Sequence, residues 1–141
     1  PYGWLTGWGV AVDNDKWVHY PLMLKDFAVP FLKGNMKQTM SMLSELDGIK
    51  LCAIAKLHPK TTIHVHQHPQ NIKDDLLQLH IPLETALKGN YNYINVDGEF
   101  RRHVCGKPIV FDGSLDHFAI NESSEARIIL YVEFNKTLLK L

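Results

Sequence analysis

The chain has 141 residues, with fifteen basic and fifteen acidic side chains and a formal net charge of zero. This length fits one domain that buries roughly two-thirds of its unfolded surface, so we expect residues 1–141 to share a single core. The balanced charge gives no electrostatic basis for binding nucleic acid or an anionic membrane. The composition therefore favours a small neutral or zwitterionic partner, and it leaves a homodimer open.

The two cysteines, Cys52 and Cys105, lack the close Cys-x-x-Cys spacing of redox and metal motifs. They are typical of reduced thiols in an intracellular protein, with a single bridge between them left open. No apolar run approaches the ~18 residues of a membrane span, and no basic-then-apolar signal peptide is recognisable. We therefore expect a cytoplasmic location.

Residues 1–35 combine aromatic side chains with glycine and proline and show no clear period, which predicts short strands and loops outside the core. A helical pattern follows, and Asn35 and Gly48 stand where an N-cap and a C-terminal stop belong. We expect one amphipathic helix of about three turns. Its apolar positions are Met36, Met40, Leu43 and Leu46.

After this helix the sequence changes to short apolar or alternating runs, separated by turn pairs such as Asp97-Gly98 and Asp112-Gly113. Eight such runs without a second helical pattern predict a mainly β fold, an antiparallel jelly roll or double-stranded β-helix of the cupin type. We expect its core within residues 36–135, with one or two helices on the N-terminal side. The predicted strands are 49–57, 61–67, 76–84, 91–96, 100–105, 108–111, 118–120 and 126–134.

Three histidines, His64, His66 and His68, occupy alternate positions, and His117 follows about fifty residues later. Residues two apart on a strand project from the same face, so this spacing predicts three imidazoles on one side of a sheet. Imidazole is the commonest protein ligand for divalent transition metals, and a distant fourth histidine can complete the site. An exposed polar strand face would produce the same alternation.

Other histidines show no such spacing, and we expect His19 and His103 to lie at the surface. Arg127 stands within an otherwise apolar predicted strand. Arginine is seldom fully buried without a partner, so an inward Arg127 would need an anion, and its planar fork suits a carboxylate. The alternative is that Arg127 faces solvent or pairs with Glu125 or Glu133.

Residues 36–135 resemble the aspartyl/asparaginyl β-hydroxylase family of iron(II)- and 2-oxoglutarate-dependent dioxygenases. The most specific part is Phe111-Asp-x-Ser-x-x-His117, which Arg127 follows ten residues later. Upstream segments resemble the family less specifically. These are Leu57-His58-Pro59-Lys60-Thr61, His66-Gln67-His68-Pro69-Gln70-Asn71 and Gln78-Leu79-His80.

The resemblance implies that His66 and His117 bind iron, that Arg127 anchors 2-oxoglutarate, and that His80 contacts this co-substrate. The chain departs from the family pattern in several places, two of which concern the site. His68 stands where aspartate or glycine is usual, and it either completes a three-histidine iron site or leaves that position to water. Gln78 replaces an arginine in the co-substrate pocket.

The implied function is hydroxylation of an unactivated C–H bond in a free or peptidyl amino acid, or in a related small molecule. Two alternatives remain open. A metal cupin with ligands His64, His66 and His117 would act as an isomerase or as a dioxygenase without a co-substrate. A barrel that only binds a small molecule would perform no chemistry.

Overall fold

Antiparallel strands dominate the computed structural model, which describes residues 5–6, 14–24, 27–28 and 36–139. The described residues include eleven strands and two short helices, α1 (Lys37–Ser44) and α2 (Gln70–Lys73). The strands are β1 (Leu5–Thr6), β2 (Trp17–Leu24), β3 (Phe27–Ala28), β4 (Ile49–Leu57), β5 (Thr61–His66), β6 (Leu76–Glu84), β7 (Asn92–Val96), β8 (Glu99–Arg102), β9 (Ile109–Phe111), β10 (His117–Asn121) and β11 (Arg127–Asn135).

These strands form two antiparallel sheets. The larger has the order β1-β2-β4-β11-β6-β9, with β3 beside β2, and the smaller has the order β5-β10-β7-β8. The chain crosses between the sheets repeatedly, so that β4 lies beside β11 and β5 lies beside β10. This topology confirms the predicted jelly roll.

The predicted strands 49–57 and 76–84 coincide with β4 and β6, whereas the ends of the others shift by up to three residues. The predicted helix is shorter than expected: α1 has eight residues, with Met36 at its N-cap. The expected cap Asn35 lies outside the described residues, and the short helix α2 was not predicted. Gly48 adopts a φ of +82°, the left-handed conformation that suits the turn after a helix. The N-terminal segment is more regular than expected, because β2 is a full strand of the larger sheet.

Two apolar clusters lie on opposite faces of the larger sheet. The outer cluster joins Met40 and Leu43 of α1 to side chains of β2, β4 and β11. The inner cluster is small and contains Leu57, Ile63 and Ala119. Buried polar residues occupy much of the remaining described interior. They include Thr61, Asn71, Gln78, His80, Asn92, His103, His117, Asn121 and Arg127.

No helix among the described residues is long and apolar enough to cross a membrane.

We expect Leu43→Ala to destabilise the protein by about 2–5 kcal/mol, because Leu43 is 7% exposed and truncation leaves a cavity beneath α1. The matched control is Leu46→Ala, since Leu46 is 55% exposed and its truncation should change stability by less than about 0.5 kcal/mol. Urea denaturation of both variants measures the difference. Equal losses would show that α1 does not cover the sheet.

Candidate metal centre and co-substrate pocket

The pairing of β5 with β10 brings two distant histidines together. Ala119 pairs with Ile63, but His117 pairs with His66, so β5 contains an irregularity between these pairs. The extra residue breaks the alternation of β5, and His64 is exposed. The prediction that His64 shares a face with the other two histidines is therefore wrong.

Three histidines form a compact cluster at this end of the two sheets. One ring nitrogen from each of His66, His68 and His117 lies within 4.8 Å of the others. The Nε2 atoms of His66 and His68 are 3.2 Å apart, a separation compatible with two ligands each about 2.1 Å from one ion. Within the described part of the chain, His64 is not a member of this cluster. The geometry thus favours His66, His68 and His117 as the ligand set over the cupin alternative, which replaces His68 by His64.

The chain's own carbonyls orient two of these rings. The Nδ1 atom of His66 lies 2.7 Å from the carbonyl oxygen of His64, and Nδ1 of His117 lies 2.8 Å from that of Leu115. A carbonyl only accepts, so each Nδ1 carries the proton and donates it. Each Nε2 therefore keeps the lone pair that a metal needs.

His68 reaches the cluster from the loop after β5. Its backbone N–H donates to the carbonyl of Gly113 over 2.7 Å, and its Nδ1 lies 3.2 Å from the Gln70 amide nitrogen. A half-turn of that amide would place its oxygen against Nδ1 and free Nε2 of His68 for a metal. A Cβ at Gly113 would lie 2.6 Å from the buried Gln78 side chain, so glycine is required for this close approach.

Burial keeps two rings of the cluster, those of His68 and His117, uncharged. The pKa of His68 falls to about 3, mainly through burial and also through the neighbouring His117 and His66 rings. Burial likewise lowers the pKa of His117 to about 4, against the opposing hydrogen bond to Leu115. Both rings are neutral at pH 7, which is the form that binds metal.

Arg127 is buried in the barrel, with 1% of its surface exposed. Its Nε and Nη1 atoms lack hydrogen-bond partners, and within the described part of the chain no carboxylate forms an ion pair with it. Burial lowers the pKa of its guanidinium to about 10, so the group remains charged at neutral pH. The alternative positions of Arg127, facing solvent or pairing with Glu125 or Glu133, are not observed.

His80 lies between the arginine and the metal cluster. Its pKa is held well below 6.5 by burial first and then by the charges of His103, Arg127, His117 and His68. The ring of Phe111 contacts both His80 and the cluster, since its centre lies 5.0 Å from that of the His80 ring and 5.3 Å from that of the His117 ring.

Gln78, two residues before His80 on β6, is 1% exposed, and its side-chain nitrogen has no partner. It contacts the loop at Gly113 beside buried Asn71, whose amide atoms also lack partners. The structure thus places Gln78 at the metal end of the interior.

Sequence reasoning misplaced two further histidines. His103 was expected at the surface but is fully buried against His80. His19 was also expected there but is only partly exposed. All four residues of β8 that precede His103 are exposed, so alternation along this strand does not indicate an inward side chain at position 103.

A cleft of about 320 Å³ opens beside the metal cluster. It lies between the β7–β8 hairpin and β9, at strand edges that do not pair with each other. Val96, which lines it, pairs with His117, and Phe111, which also lines it, touches the His117 ring. Glu99 and Arg101 form an ion pair at its rim.

A family model for aspartyl/asparaginyl beta-hydroxylases matches residues 7–137. The chain belongs to this family. The resemblance seen in the sequence motifs is thereby confirmed, and the match extends further toward the N-terminus than those motifs do.

Two curated relatives of this hydroxylase-family chain have low sequence identity to it. An uncharacterized protein, L888, of Acanthamoeba polyphaga mimivirus is 24% identical over 140 residues, covering 97% of this chain and 49% of that protein. The ornithine lipid ester-linked acyl 2-hydroxylase of Rhizobium tropici is 26% identical over 100 residues, covering 71% of this chain and 34% of that enzyme. The chain thus spans half or less of the length of these relatives.

Solved structures show the same fold. An oxidoreductase of the 2OG-Fe(II) oxygenase family from Burkholderia pseudomallei has a TM-score of 0.59 at 15% identity, covering 84% of this chain and 67% of that one. A Cupin_2 domain of an XRE family transcriptional regulator from Enterobacter cloacae has a TM-score of 0.55 at 15% identity, covering 84% and 96%. These likenesses support the jelly roll and carry no information on chemistry.

We expect His66→Ala and His117→Ala each to abolish binding of iron(II). Loss of a hydrogen-bond partner of a metal ligand weakens metal binding roughly 10–100-fold, and we expect His68→Ala, which removes a ligand itself, to weaken it by more. His64→Ala is the matched control and should bind iron within a few-fold of the wild type, because His64 is exposed outside the cluster. Anaerobic titration against a chelating dye measures these affinities. Loss of iron in His64→Ala with retention in His66→Ala would favour the cupin ligand set.

We expect the metal-free protein to lose stability as pH falls from 7 to 5. In this range the unfolded chain protonates His117 near pH 6.5, whereas the folded protein does so only near its pKa of about 4. The free energy of unfolding therefore falls with pH, by about 2 kcal/mol from His117 alone. Urea denaturation of His117→Asn should show a correspondingly flatter pH dependence, whereas the exposed control His64→Asn should follow the wild type. Identical curves for all three proteins would contradict the burial of His117 as a neutral ring.

Proposed function

We propose that this protein is an iron(II)- and 2-oxoglutarate-dependent hydroxylase acting on an amino acid or an amino-acid-like substrate. The observation that supports this most strongly is the buried guanidinium of Arg127, whose Nε and Nη1 atoms lack hydrogen-bond partners, in the barrel that also contains the histidine cluster. A buried cation without an anion is unfavourable, and a dicarboxylate held by a metal at its other end would supply that anion.

The residues present fit both cofactors. Three imidazoles are suitable ligands for iron(II) and leave coordination positions open, although the carboxylate of the common two-histidine site is replaced here by His68. When bound, iron(II) and 2-oxoglutarate supply the oxidant for C–H hydroxylation with molecular oxygen. In this proposal His66, His68 and His117 hold the metal.

In this proposal the co-substrate lies in the interior between the cluster and Arg127. Small side chains face inward there, since Ala53 and Ala55 on β4 and Ala119 on β10 are all buried. Arg127 would bind the distal carboxylate through its planar fork, with His80 beside it. Burial of these groups also excludes water, which strengthens their electrostatic interaction with a bound anion.

The cleft beside His117 offers a route for the substrate. Its floor is apolar, with Ile94 and Val96 among the lining residues, and its rim bears the Glu99–Arg101 ion pair. This combination suits an aliphatic group attached to a zwitterionic amino-acid head.

An acyl chain attached to an amino-acid head is a second candidate substrate. Large aliphatic side chains are exposed beside all three histidines: Val65 is 60%, Ile72 73% and Leu115 42% exposed. The Rhizobium tropici relative is named for hydroxylation of such an acyl group. Incubating the iron-loaded protein with free amino acids and with ornithine lipids, followed by mass spectrometry, distinguishes the two classes.

We expect 2-oxoglutarate to produce a weak visible charge-transfer band with the anaerobic iron-loaded protein. Arg127→Ala should weaken 2-oxoglutarate binding roughly thirty-fold or more while leaving iron binding nearly intact, because truncating one partner of a buried charged pair costs about 2–5 kcal/mol. Arg127→Lys should rescue the affinity only partly, since lysine lacks the fork. The intensity of the band during titration with 2-oxoglutarate measures the affinity of each variant for this co-substrate.

Arg102→Ala is the matched control, because Arg102 is exposed on β8 and lies over the Tyr93 ring. It should bind 2-oxoglutarate as the wild type does. Normal binding by Arg127→Ala would refute the assignment of this arginine. A protein that binds iron without ever developing the band would favour a cupin, and one that binds no metal would favour a non-catalytic barrel.

A further inference from the structure

The interior also contains a pair of histidines, His80 and His103, outside the three-histidine cluster. His103 has no exposed surface and His80 is 7% exposed. Nδ1 of His80 lies 3.1 Å from Nε2 of His103, the ring centres are 5.3 Å apart, and the planes differ by 22°. The centre separation exceeds the nitrogen separation by about one ring diameter. Both nitrogens therefore lie on the line between the centres, so the rings meet edge to edge through one hydrogen bond.

The backbone holds His103 firmly in this place. Its N–H donates to the carbonyl of Asn92 over 2.9 Å, and its own carbonyl accepts from the side-chain amide of Asn90 over 2.8 Å. Its backbone position is therefore fixed by contacts outside the metal cluster.

The direction of the hydrogen bond can be deduced from the far side of the His103 ring. Its Nδ1 is buried and has no partner. If His80 were the donor, the proton of His103 would sit on this Nδ1 as a buried, unpaired N–H, an arrangement that proteins avoid. If His103 donates from Nε2, its Nδ1 keeps only a lone pair, and no buried N–H of this ring is left unpaired.

We propose that His103 is a positioning residue that fixes His80 as an Nε2–H donor toward the 2-oxoglutarate pocket. This inference rests on the proposed function. His103 donates to Nδ1 of His80, so the proton of His80 must reside on Nε2. A carboxylate anchored by Arg127 then gains a second, uncharged donor from the same interior.

The tautomer of His80 can be read without any co-substrate. We expect ¹⁵N NMR of histidine-labelled, zinc-loaded wild-type protein to show Nε2 protonated and Nδ1 unprotonated for His80. In His103→Phe, which keeps a ring but removes both nitrogens, His80 should populate both tautomers. In His103→Gln the amide can still donate, so the wild-type tautomer should return. A wild-type His80 protonated on Nδ1 would overturn the inference.

Binding of 2-oxoglutarate to the anaerobic iron(II) protein gives the second measurement. We expect affinity to fall about tenfold in His103→Phe and to recover to within about threefold in His103→Gln, with iron affinity unchanged in both. His64→Phe is a control at an exposed position outside the cluster and should match the wild type. Unchanged affinity in His103→Phe would also overturn the inference.

The two proposals fail in different ways. An iron-loaded wild-type protein that ignores 2-oxoglutarate would refute the proposed function, whereas the NMR tautomer still tests the action of His103 on His80. If His103→Phe does not fold, the wild-type spectrum and His103→Gln decide the outcome.

Discussion

A charged guanidinium enclosed by the barrel, without a carboxylate beside it in the described structure, is the constraint that organises the interior. Removing such a group from water costs several kcal/mol, and the fold must recover this elsewhere or leave room for an anion. The apolar cluster beneath α1 lies on the other face of the larger sheet and stabilises the fold without occupying the interior. The inner face is thereby free to hold polar groups for binding.

The interior is divided by depth. The three-histidine cluster lies at one end, the arginine lies further in, and His80 lies within electrostatic reach of both. The permanent positive charge of Arg127 favours a negatively charged group in the deeper part of the interior.

Much of this could be predicted from the sequence, because strand alternation and turn residues determine a jelly roll locally. Strands 49–57 and 76–84 were predicted to the residue for this reason. The face of His64 was not predictable, since one irregular residue in β5 reverses the alternation and only the pairing with β10 reveals it. His103 was missed because its burial depends on His80, which is 23 residues away in sequence. Periodicity cannot report contacts of that range.

The hydrogen bonds that orient His66 and His117 both run to a carbonyl two residues earlier in the chain. No point substitution of a neighbouring side chain deletes a carbonyl, so these two rings keep their orientation while the residues around them change. Evolution can therefore vary the third ligand and the rim of the cleft with little disturbance to the pair. Such independence would let one scaffold acquire new substrates while the metal-binding pair is inherited intact.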